Sequence, residues 1–129
     1  MAEAEMVRPC GGIRVVELTT TMVSGPMCGQ ILADLGASVT RIEGLQGEMM
    51  RYLPPIKDGL SATFAQFNRN KRSIALDMKD PAGRGIAWRL IESADVLIEN
   101  FRAGVTDKMG FGYDAVRERN PRLVYVSVN

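Results

Sequence analysis

The run Ile13 to Leu18 (I-R-V-V-E-L) constrains the fold more than any other stretch, because of what flanks it. Gly11-Gly12 precede it and three threonines follow, and its short, β-branched, apolar make-up reads as a buried strand of the parallel kind. Next comes Ser24-Gly25-Pro26, a capping hydroxyl and a proline suited to a first helical turn. Met27, Ile31, Leu32 and Leu35 follow at helical spacing, so the pattern predicts a helix from Pro26 to Leu35 with Gly36 as its stop. A strand that feeds a helix returns to its sheet by a crossover, and Ser38 to Glu43 supplies the returning strand. The chain therefore opens β-α-β.

From Gly44 to Ala65 the pattern lapses into Gly, Pro, Met and mixed charge, including Pro54-Pro55 and Asp58-Gly59. It reads as a long loop: a lid or contact surface on one reading, a tolerated surface insertion on the other. Ser73 to Leu76 then forms a third strand, and Asp80-Pro81 opens a helix whose stripe Ile86, Ala87, Leu90, Ile91 runs to about Ser93. Ala94 to Glu99 is a fourth strand, Asn100 to Gly104 a turn, Val105 to Met109 and Tyr113 to Arg119 helices, and Leu123 to Val128 a fifth strand. With no hairpin dipeptide read between strands, the expected class is α/β: a Rossmann-like, open, mainly parallel sheet with helices on both faces, forming one domain over residues 1–129. The end at Val126 to Asn129 falls where a sheet of this kind places its ligand, so the domain is expected to be incomplete.

Composition narrows the chemistry. Sixteen basic residues against fifteen acidic leave a net charge of +1, too little to drive nucleic-acid binding without a local patch, so no nucleic-acid partner is expected. The first eleven residues include Glu3 and Glu5 and hold no apolar leader run, and no segment is long and apolar enough to span a bilayer. Cys10 and Cys28 do not make a disulfide scaffold, and a reduced, cytoplasmic protein is expected. The sequence has no histidine, which removes the commonest general base and metal ligand; no metal is expected.

The turn Thr19 to Pro26 stands where a dinucleotide fold carries its glycine fingerprint, yet it holds neither G-x-G-x-x-G nor, anywhere in the chain, a P-loop. Its hydroxyls either bond a ligand at a helix start or cap the strand end. The stretch Asn68 to Lys79 (N-R-N-K-R-S-I-A-L-D-M-K) gathers Arg69, Lys71, Arg72 and Lys79, a solvated charge run or an anion site. Across the expected switch point, Asn100 offers donor and acceptor, Phe101 a stacking face or a core side chain, and Arg102 a fork for phosphate. With Arg72, Lys79 and Lys108 these cations fit a small polyanion such as a mononucleotide bearing several phosphates. Cys28, at a helix start, is a buried thiol or an activated one. Asp77 and Asp80 flank the end of the third strand, either as a carboxylate pair or with Asp80 as a helix cap, which explains it better, and no convincing catalytic centre emerges.

The words G-G-I-R-V-V-E-L, S-G-P-M-C-G-Q-I-L-A-D-L-G-A, N-R-N-K-R-S-I-A-L-D-M-K, A-D-V-L-I-E-N-F-R-A-G-V and N-P-R-L-V-Y-V-S resemble, in order and spacing, the N-terminal part of the class III CoA-transferases, a group that includes formyl-CoA and carnitine CoA-transferases and the α-methylacyl-CoA racemases. The resemblance implies that the polyanion is coenzyme A. It places CoA contacts at Leu76, Lys79, Asn100, Phe101 and Lys108, with Arg72 added on charge alone. It also implies transfer of CoA between an acyl-CoA and a small carboxylic acid through a covalent aspartate at a family position beyond Asn129, and an intertwined homodimer. A racemase, or a non-catalytic CoA-binding or interaction module, stands as the alternative. The chain departs from the pattern at Leu18 to Gly25, one residue longer, at Gly44, where several members carry an arginine, and at Ala103, where a proline is frequent.

Overall fold

The computed structural model describes residues 8–20 and 23–128; the acidic residues Glu3 and Glu5 and the turn residue Met22 lie outside them. Five strands form one all-parallel sheet in the order β5-β2-β1-β6-β7. They are β1 (Arg14–Leu18), β2 (Ser38–Glu43), β5 (Lys71–Ala75), β6 (Val96–Glu99) and β7 (Val124–Ser127). Pairing is in register from Val15 opposite Val39 and Val96 outward to Thr40 opposite Arg72 and Val96 opposite Val124. The chain moves outward on one side of β1 through β2 and β5, then returns to pair β6 on the other side. The strand order reverses beside β1, and the crevice there is where such sheets take ligands.

Helices cover both faces. On one face α3 (Pro81–Glu92), α4 (Val105–Met109) and α5 (Tyr113–Arg119) bury an apolar core of Val16, Leu18, Ile42, Leu97, Ile91 and Phe111. On the other, α1 (Ser24–Asp34) packs over a smaller cluster of Val15, Ala33, Val39 and Ile98. The start of α3 follows directly from its sequence: Pro81 fills the first turn and the Asp80 carboxylate accepts from Ala82 N at 2.7 Å. By contrast α1 leaves Met27, Ile31 and Leu35, spaced four apart, exposed on its outer side.

The segment read as a structureless loop from Gly44 to Ala65 is built. It holds a 3-10 turn at Met49–Tyr52, a hairpin of β3 (Ile56–Lys57) and β4 (Leu60–Ser61), and the start of α2 (Ala62–Asn68). Asp58 and Gly59, at φ 51° and 78°, make the two-residue loop that primed hairpin turns require. The Asp-Gly signal was present, but the strands beside it are two residues each and lack an alternating pattern to mark them. The third strand also differs from expectation. It starts at Lys71 and ends at Ala75, so Lys71 and Arg72 are strand residues and Lys79 lies in the following turn. The described residues contain no helix long and apolar enough to cross a membrane.

Candidate functional site

At the carboxyl ends of β1 and β2 lies a cavity of about 260 Å³, walled by Thr19 and Thr20 on one side, Gly44 to Met49 on another, and Met78, Phe101 and Met109 on the rest. Its floor is apolar, Leu18 and Ile42. The size is below the roughly 300–1,000 Å³ of a full ligand pocket and leaves room for about one ring system. No lysine or arginine is among the described residues lining it, while Glu43 and Glu48 are. A second, more open cavity of about 410 Å³ lies beyond Phe101, which lines both, and includes Glu99, Arg102, Asp107 and Tyr113.

The candidate residues divide between these surroundings. Asn100 is buried, and its Oδ1 accepts from the backbone N of Thr20 at 2.6 Å while its Nδ2 donates to Thr20 O at 3.4 Å. It staples the two turns of the switch point together, and a Cβ at Gly25 would press on it and on Thr19, which explains the glycine there. Phe101 separates the two cavities. The Leu76 side chain is core, packed with Ile42 and Leu97, and its backbone N donates to Glu43 O at 2.9 Å. Lys79 and Lys108 are exposed and adjoin the lining residues Met78 and Met109. Arg72 is not brought to this end: its Nη2 donates to Ser38 Oγ at 2.5 Å, beside the first residue of β2.

A buried ionic network beneath α1 was missed from sequence. Glu17, wholly buried, accepts from Arg41 Nη1 at 2.8 Å, from Lys71 Nζ at 2.7 Å and from Thr19 Oγ1 at 2.7 Å. Arg41 Nη1 also donates to Asn68 Oδ1 at 2.8 Å, and Lys71 Nζ to Pro26 O at 2.7 Å. Lys71, read from the sequence within a solvated charge run or an anion site, is instead a buried partner of Glu17. Burial, and then the charge of Arg41, pull its ammonium below the usual range against the attraction of Glu17. Burial pushes the Glu48 carboxyl up, against the attraction of Arg41. Burial likewise disfavours the Glu43 carboxylate, but hydrogen bonds from Arg51 and Ser73 and the charges of Arg51 and Arg41 outweigh it and hold Glu43 at about 2. The signal existed in the period of two: Glu17 and Arg41 share a face with Val15 and Val39, and charges on a buried face must pair.

The model of CoA-transferase family III matches residues 11–129. The chain belongs to CoA-transferase family III. Its relatives include a formyl-CoA:oxalate CoA-transferase of Streptomyces avermitilis, 43% identical over 95% of this chain and 30% of that protein. Another is a succinyl-CoA:mesaconate CoA-transferase of Haloarcula hispanica, 40% identical over 90% of this chain and 30% of that one. A solved CAIB/BAIF family protein from Brucella suis superposes with a TM-score of 0.86 at 41% identity, covering 92% of this chain and 32% of its own. The family III chain thus spans about 30% of the length of the curated relatives it matches. The structural match confirms the α/β class and the parallel sheet with helices on both faces.

Proposed function

We propose that these residues bind coenzyme A for a family III CoA-transferase that moves CoA between an acyl-CoA and a small carboxylic acid. The observation that carries the reading is the family match over 11–129 falling on a sheet whose switch-point crevice is open at Thr19, Gly44 and Phe101. Because no described residue lining the cavity is cationic, the ligand's neutral ring enters it beside Phe101, with Leu76 contributing to the core and Asn100 holding the Thr20 turn. Its phosphates stay at the rim with Lys79 and Lys108, where Arg102 is also exposed. Arg72 has no part in this arrangement. The acyl-carrying aspartate implied by the family resemblance is assigned to none of these residues, and no metal is invoked. Both relatives named above are called transferases, which favours transfer over racemisation. The exposed stripe Met27, Ile31, Leu35 supports a homodimer, and free Cys10 and Cys28 support a cytoplasmic setting.

Calorimetric titration with CoA and with dephospho-CoA tests the reading. CoA is expected to bind more tightly, and Lys79→Ala with Lys108→Ala to remove that advantage. Equal affinities for the two ligands, or a double variant identical to the parent, would sink the assignment of the rim cations.

A further inference from the structure

Arg41 is among the most deeply buried charged side chains of the sheet, and one of its nitrogens stands between two walls of the cavity. Nη2 lies 3.3 Å from the carbonyl oxygen of Thr19 and 3.2 Å from Glu48 Oε2. Thr19 belongs to the turn after β1 and Glu48 to the segment after β2, and both line the same cavity. Through its other nitrogen Arg41 is held by Glu17 and Asn68, so the bridging group cannot swing away without losing two hydrogen bonds at 2.8 Å.

A network of this kind is a poor way to gain stability. Buried ion pairs replaced by apolar side chains of similar volume are often neutral or more stable. Here the polar groups are not even fully satisfied, since Arg41 Nε and both Glu48 carboxylate oxygens are buried with no hydrogen-bond partner among the described residues, leaving Arg41 and Glu48 joined as an ion pair alone. A buried polar group left without a partner opposes folding. The cluster's geometry has a different product. It fixes where the Thr19–Thr20 turn stands relative to Glu43 and Glu48, whose backbone N itself donates to Glu43 Oε2 at 3.1 Å.

We infer that Arg41 and Glu48 are positioning residues that hold the two walls of the cavity at the separation its ligand requires, Glu48 lining the cavity while both its carboxylate oxygens stay buried. This rests on the reading of the cavity as the CoA ring site, and goes beyond it by assigning ligand affinity to side chains with no exposed polar atom. Both walls follow strand ends, Thr19 after β1 and Glu48 after β2.

The test uses Arg41→Lys, which keeps the charge but loses the fork, and Glu48→Gln, which keeps the shape but loses the ion pair. Amide hydrogen exchange is followed at Thr20 and Glu48, in the walls, and at Val124, paired to Asp95 O on the far side of the sheet. Exchange is expected to quicken at the two wall amides with Val124 unchanged, and CoA affinity to fall about tenfold for Arg41→Lys, less for Glu48→Gln. Uniformly faster exchange that includes Val124, or unchanged wall amides, would show a merely structural role and overturn the inference. If Arg41→Lys does not fold, Glu48→Gln decides alone. If the parent protein binds no CoA, the ring-site reading falls while the exchange data still decide the tether.

Discussion

On the face of the sheet under α3, α4 and α5, Val16, Leu18, Ile42 and Leu97 meet Ala87, Ile91, Phe111 and Val116, all apolar and all buried. On the face under α1 the same strands alternate Val15 with Glu17 and Val39 with Arg41, and the space below the helix is filled by a balanced set of Glu17, Glu48, Arg41 and Lys71. One face is held by area removed from water, the other by groups that are tolerable only in each other's company. The difference teaches where specificity lies. The apolar face tolerates exchanges of similar volume. On the charged face, removing one charge strands its partner, and it is the face tied to the turn at the cavity mouth.

The sharpest way to break this comparison is Glu17→Ala, which leaves Arg41 and Lys71 buried without their carboxylate. Loss of one partner of a buried pair costs about 3–5 kcal/mol, measured by urea unfolding. Leu97→Ala on the apolar face should cost a comparable roughly 2–5 kcal/mol. The two faces separate on the second substitution. Adding Lys71→Met to Glu17→Ala should recover part of the loss, because the stranded ammonium goes with it. Strictly additive losses would show that the charges are not coupled.

The same contrast explains what could be read from the sequence. The parallel alternation was legible because β1, β2, β6 and α3 each carry an apolar run or stripe with a proper boundary: Gly11-Gly12 before β1, Asp80-Pro81 before α3. Helices at Val105–Met109 and Tyr113–Arg119 fell where the pattern put them. The hairpin at Asp58-Gly59 was not legible, since two-residue strands have no period. In the candidate site, proximity in sequence misled. Lys71 and Arg72 are neighbours, but a strand sends successive side chains to opposite faces, so one is buried against Glu17 and the other reaches Ser38. Asn100 was placed rightly at the switch point, yet its bonds to Thr20 could not be foreseen without the register of β1 against β6.

Acid titration probes the charged face next. The Glu43 pKa is lowered from 4.5 to about 2, so the folded state binds this proton more weakly than the unfolded chain. Its contribution is fully present above the unfolded pKa and lost as pH falls from about 4.5 towards 2, on the order of 2 kcal/mol after allowance for the half-open Arg51. Glu48 runs the other way: raised by burial, it favours the folded state while protonated and costs stability as pH rises above the unfolded value. Urea midpoints of Glu43→Gln should therefore lose their fall between about pH 4.5 and 2, while Glu48→Gln should remove the fall that sets in as pH rises above about 4.5. A pH profile unaltered by Glu43→Gln would show that Arg51 does not hold the carboxylate.

The smallest effects come from one substitution made on each face. Gly29 in α1 sits against Glu17, and a Cβ there would collide with the Glu17 carboxylate oxygen. That oxygen cannot yield, being pinned by Lys71, so Gly29→Ala should cost about 1–3 kcal/mol of overpacking. Gly85 in α3 has nothing within 4 Å of the same position. Gly85→Ala removes only the glycine's excess freedom and should stabilise by about 0.5–1 kcal/mol. Opposite signs for the same change, read from thermal midpoints, would fix the contrast between the two faces at the level of one methyl group. Made together with Glu17→Ala, Gly29→Ala should lose most of its penalty, since the carboxylate it collides with is gone; a penalty that persists would place the obstruction at the Lys71 ammonium, 3.3 Å from the same position, and not at Glu17.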